Sequence, residues 1–184
     1  MNGNLSTAVI SLAQSAGPAL GLIQALAVLV GVFYLGEAVT KFIHVTNNRT
    51  QVSAVSPVVT LLIGSALIGF GTSVDTAVES LFGAPAANPL SYAPGVNGAS
   101  GVTSAVYQII SVFGYLAIFR GFRIWKMAGD GFGGGGHHGA GGEDPVFRGA
   151  THILGGAAAV NLQLFLVSAG STLGFNLGGF LNGG

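Results

Sequence analysis

LIQALAVLVGVFYLG, residues 22–36, decides the fold. It carries no charge, and neither does anything before it. Read as a span over residues 19–43, this run is long enough for a hydrocarbon core of roughly 30 Å. It closes on Glu37, Lys41 and His44, with Glu37 and Lys41 one helical turn apart. Working outward, three more apolar stretches follow. They are VVTLLIGSALIGFGTSV at 58–74, VTSAVYQIISVFGYLAIF at 102–119 and THILGGAAAVNLQLFLVSAGSTLGFNLGG at 151–179. The pattern predicts an all-α membrane protein with four long helices as two tandem hairpins. Residues 1–82 form the first hairpin, with a weakly amphipathic lead over 1–17. Residues 102–184 form the second.

The six basic residues set the expected orientation. Lys41 lies at the end of the first span and Arg49 just beyond it; Arg120, Arg123, Lys126 and Arg148 lie between the third and fourth. Lys and Arg beside short loops stay on the cytoplasmic side, and acids count little. Both basic ends therefore face inward, and both termini face outward. The turn HVTNNRTQ at 44–51 and the glycine-rich loop at 129–144 are cytoplasmic in this reading. Residues 83–101, rich in Pro, Gly, Asn and Ser without a basic residue, are an external loop. No Lys or Arg precedes the first apolar run, so an uncleaved, outward-facing start is expected.

Composition narrows the function classes. Only 7% of the 184 residues are charged, against about 25% in soluble domains. That deficit rules out an ordinary water-facing surface. Net charge is zero, so no field recruits nucleic acid, and no sequence-specific nucleic-acid partner is expected. Absence of cysteine removes disulfides, thiolate metal sites and cysteine nucleophiles. The 32 glycines show no collagen period and suit close helix approach.

The two halves resemble each other: TLLIGSA from Thr60 matches THILGGA from Thr151, and Gln24 and Gln108 occupy similar depths. This reads as a parallel tandem repeat rather than the inverted repeat of many transporters. Gly170, Gly174 and Gly178 stand at four-residue steps, a small-residue stripe expected to pack against another helix. Gln24, Gln108, Asn161, Gln163 and Asn176 are expected to bond between helices. Glu37, Asp75 and Glu79 lie near span ends, where ion pairing or solvation is expected. His137 and His138 lack further ligands at a recognised spacing, so no metal or other cofactor is expected. The glycine loop lacks the GK[ST] of a phosphate-cradling loop. No nucleophile elbow marks a hydrolase, and the chain is read as non-enzymatic. Arg120, Arg123 and Lys126 fall on nearly one face, with no matching acid read nearby. With Lys41 and Arg49 they are candidate contacts for anionic phospholipid, a structural ligand.

ATHILGGAAAVNLQLF, Ala150 to Phe165, resembles the IcmC/DotE-type small membrane proteins of type IVB secretion and conjugation systems. The likeness rests on Thr151, His152, Gly155, Gly156 and Asn161 and on the four-span plan. It implies an inner-membrane component of a translocation machine, with periplasmic termini and other apparatus subunits as partners. Gly155, Gly156 and Asn161 carry over as packing residues, and no catalytic residue does. The architecture is also similar to two fused conjugative pilins, which implies a self-associating filament subunit with bound phospholipid, extracellular once assembled. The alternative is a small channel or transporter. That reading asks for a broken helix or a paired buried charge at mid-membrane, and the sequence displays neither.

Overall fold

The computed structural model describes residues 3–47, 54–83, 101–131 and 144–174. Every element among them is a helix: α1 (Gly3–Gln14), α2 (Ala16–Thr46), α3 (Val55–Ile68), α4 (Phe70–Phe82), α5 (Gly101–Gly131), α6 (Pro145–Val160) and α7 (Leu162–Thr172). The lead thus forms α1, and Pro18 sits in the first turn of α2, where its missing N–H costs nothing. Pro57 does the same for α3. Pro145 opens α6, where Asp144 Oδ1 accepts from the Val146 N–H at 2.9 Å.

Two helices, over Ser6–Thr46 and Val102–Gly131, are long and apolar enough to cross a membrane. The count rises to four if each remaining pair is one span. In place of two further unbroken spans, α3 and α4 meet at 96°, and α6 and α7 at 99°. At about 1.5 Å per residue, α3 and α6 reach roughly 21 and 24 Å, short of a full hydrocarbon core.

The first break is Gly69. Its N–H donates to Ser65 O at 3.1 Å, and its carbonyl accepts from the Ser73 N–H at 2.8 Å. Ser73 Oγ donates to Ala66 O at 2.8 Å, so the bend supplies a partner to a carbonyl that a straight helix would bond. The second break is Asn161, at φ −123° and ψ 54°. Each half of the sequence thus has a 31-residue helix followed by a pair bent near 90°.

The chain divides into two compact units that do not follow the hairpins. One comprises residues 1–23, 74–116 and 155–184; the other comprises 24–73 and 117–154. In the first, Ala13, Ala16, Leu20, Val74, Val78, Ala105 and Val160 are buried, and Phe82 meets Phe165 edge-on at 6.3 Å. In the second, Ala27, Ala38, Leu67, Phe70 and Ile118 are buried. Phe70 stands edge-on to Phe119 at 6.1 Å and to Phe122 at 6.5 Å, a favoured aromatic geometry.

Backbone approach explains several glycines. A Cβ on Gly31 would lie 2.7 Å from Gly64 O and 2.9 Å from Ile68 N. A Cβ on Gly114 would lie 2.7 Å from both Gly156 O and Val160 N. Only a missing side chain permits such crossings.

Candidate functional site: an ion-pair network and an arginine-lined recess

The second unit brings four charged side chains together in one place. Glu37 and Lys41 come from α2, Lys126 and Asp130 from α5, each pair one turn apart. Lys41 Nζ meets Glu37 Oε1 at 2.7 Å and also pairs with Asp130. Lys126 Nζ meets Glu37 Oε1 and Asp130 Oδ2, both at 2.7 Å. Two ammoniums thus alternate with two carboxylates and the set is neutral. The lysine side chains keep only 17% and 14% of their surface, so solvent screening is weak.

Helix α3 completes the network. Ser56 Oγ donates to Asp130 Oδ1 at 2.8 Å. Lys41 Nζ donates to Thr60 Oγ1 at 3.1 Å, and Thr60 Oγ1 donates in turn to Ser56 O at 2.8 Å. Both hydroxyl residues are buried. Lys126 Nζ also lies 5.2 Å from the centre of the Tyr34 ring, within cation–π reach. The arrangement satisfies charge that would otherwise be costly among apolar helices. It also joins the C-terminal part of α2 to the last turns of α5.

This changes the reading of the basic residues. The expectation that Lys126 has no nearby acid is wrong: Asp130 stands four residues on, and Glu37 reaches it from 89 positions earlier. Lys41 and Lys126 spend their donors on carboxylates and a hydroxyl, which leaves them poor lipid contacts. Arg49 lies outside the described residues.

Arg120 and Arg123 do share a surface, with Arg148 of α6 beside them. The three line a recess of about 540 Å³ together with Phe119, Ile124 and Met127. All three arginines are exposed. Nearby, Trp125 Nε1 donates to Val146 O at 2.9 Å and tethers α5 to the start of α6. Gly149 leaves room for the indole, since a Cβ there would collide with the ring.

The glycine assignments divide. Gly156 is buried against Gly114, as a packing residue should be. Gly155 has no neighbour within 4 Å of a Cβ position and faces outward. Gly170 is buried in α7. Gly174 is not part of a helical stripe: α7 ends at Thr172, and Gly174 follows at φ +80° with open space about it. Its N–H donates to Ser171 O at 3.3 Å, so it terminates the helix in the left-handed conformation that glycine tolerates. Gly178, Asn176 and the His137–His138 loop lie outside the described residues. Asn161 is buried at the break between α6 and α7 and does not sit inside a continuous span. His152 Nδ1 lies 2.8 Å from Arg148 O, a contact within its own helix.

The sequence alone does not single out Asp130, Ser56, Thr60, Gly31, Gly64 or Gly114 as site residues. Only the four-residue step from Lys126 to Asp130 announces itself in one dimension; the others need two helices in register. No protein-family model, curated protein or solved structure matches this chain, so the likeness to the IcmC/DotE-type proteins rests on the residues quoted above.

Proposed function

We propose that the chain is a non-enzymatic, self-associating structural subunit of a membrane assembly of the type IV secretion or conjugation kind. In this reading each bent pair serves as one span, giving four spans in a bacterial inner membrane with both termini periplasmic. Its partners are further copies of itself, phospholipid and other apparatus subunits, and a pilin-like filament is the extended form of the same assembly.

The observation that carries self-association is the outward surface of α2. Leu22, Leu29, Val32, Phe33 and Val39 are all more than half exposed. Lipid can cover such a surface, but lipid does not account for glycine there. Gly21 and Gly36 lie on the same helix with nothing within 4 Å of a Cβ position. Glycine in a helix interior costs about 1 kcal/mol relative to alanine. At Gly31 a close backbone contact offsets that cost; at Gly36 a second copy would do so. The type IV assignment is supported by the sequence likeness over residues 150–165 alone.

The experiment uses the absence of native cysteine. Gly36→Cys should form a disulfide-linked dimer in native membranes under mild oxidation, while Asn47→Cys should not. Equal, low cross-linking at both positions would remove the support for self-association through α2.

The two breaks favour a second reading, a small channel or transporter, because discontinuous helices commonly form solute sites. They meet one criterion, a broken helix, that the sequence alone does not display. The ion network favours it less: Lys41 lies ten residues beyond Gly31, the middle of the 19–43 span, about 15 Å along α2 and at the edge of the hydrocarbon core. Solute or ion flux in proteoliposomes of purified protein, absent from empty vesicles, would select the second reading.

A further inference from the structure

Lys41 and Lys126 are occupied by carboxylates, whereas Arg120, Arg123 and Arg148 are not. Among the described residues none of these three guanidiniums makes a hydrogen bond or ion pair. They converge from α5 and α6 on the recess already described, and among the described residues no acid lines it. Three positive charges at one recess repel one another and call for an anion. Guanidinium groups match phosphate oxygens with two parallel hydrogen bonds each, which ammonium groups do not.

We propose that this recess holds the headgroup of an anionic phospholipid carrying two phosphates, of the diphosphatidylglycerol class, between Arg120, Arg123 and Arg148. Two features select a lipid over a soluble phosphate compound. Phe119, Ile124 and Met127 form the remainder of the lining, and a free phosphate has no use for them. Arg120 also follows directly on the apolar run 102–119, where a span meets headgroups. Charge selects two phosphates over one. A single phosphodiester would leave two of the three arginine charges unmatched, and a recess of 540 Å³ has room for a larger headgroup. Basic pockets between helices on the cytoplasmic side are suited to headgroups of this kind. The proposal rests on membrane insertion and is independent of self-association.

The test is native mass spectrometry of the full chain in detergent, titrated separately with diphosphatidylglycerol, phosphatidylglycerol, phosphatidylcholine and inorganic pyrophosphate. The site predicts that diphosphatidylglycerol binds at least ten-fold tighter than phosphatidylglycerol and that phosphatidylcholine binds weakest. Arg120→Gln and Arg148→Gln should each weaken diphosphatidylglycerol about five-fold, the fold-change for roughly 1 kcal/mol per basic residue. Arg148→Lys should recover part of that loss. Equal affinity for the one- and two-phosphate lipids would overturn the headgroup assignment. Displacement of bound lipid by micromolar pyrophosphate would show a soluble ligand instead. The lipid comparison on unaltered protein decides the matter even where a variant fails to fold. Because each bound lipid is counted per chain, a monomer that retains the lipid would refute self-association and leave this site intact.

Discussion

Gly31→Ala is expected to destabilise the protein, against the usual effect of adding a methyl group to a helical glycine. Alanine in place of glycine contributes about 1 kcal/mol to a helix interior. At Gly31 the new Cβ would meet Gly64 O at 2.7 Å, Ile68 Cγ1 at 2.9 Å and Ile68 N at 2.9 Å. Two of these three atoms are backbone and cannot rotate away, so α2 and α3 must separate. Overpacking of this sort costs about 1–3 kcal/mol, and rigid neighbours put it in the upper half of that range. Subtracting the helix contribution leaves a net loss of about 1–2 kcal/mol. Gly155→Ala in α6 is the control: open space above its Cα predicts no loss and a gain of up to about 1 kcal/mol. The assay is SDS titration of protein in mild micelles, followed through Trp125, the chain's single tryptophan, which lies in the same compact unit as Gly31. A Gly31→Ala protein as stable as the parent, or an equal loss at Gly155, would refute the crossing of α2 and α3 at Gly31 and Gly64.

The ion network makes a second prediction. Lys126→Met leaves Glu37 and Asp130 sharing Lys41, and at 14% exposure the loss should fall between surface and buried pairs, about 2–3 kcal/mol in the same titration. Glu37→Gln combined with Lys126→Met should cost less than the sum of the single changes, because the two side chains interact directly. A third prediction concerns orientation: cysteines at Asn47 and Ala140 should resist an impermeant thiol reagent in intact cells, while one at Asn97 reacts. Labelling at Asn47 would reverse the topology. Gly174→Ala should cost about 1–2 kcal/mol through the left-handed backbone alone, measurable in the same SDS titration.

The helical class and the two long apolar helices were legible because apolar runs dominate the sequence. Pro18, Pro57 and Pro145 sit in the first turns of α2, α3 and α6, where the missing N–H of proline is no loss. The Glu37–Lys41 pair was legible because both ends sit on one helix. The breaks were not. Gly69 lies five residues after Gly64 in the same apolar run, yet one bends the chain and the other packs a crossing. Nothing local separates these roles; the difference is which carbonyl finds a partner, and Ser73 supplies it. Asn161 likewise reads as a polar residue inside a span until its backbone angles are known. Gly174 misled through spacing: a four-residue step implies a shared face only while the helix continues, and α7 has already ended. The charge network required residues 89 positions apart to meet, which no periodicity encodes.

The most direct test of the account is the mass of the particle extracted from native membranes with its lipid by a styrene–maleic acid polymer. The account predicts a homo-oligomer, several times the 18.3 kDa chain, with phospholipid retained and with imaging that shows repeated subunits. A lone 18.3 kDa chain in lipid, with solute flux after reconstitution, would contradict it.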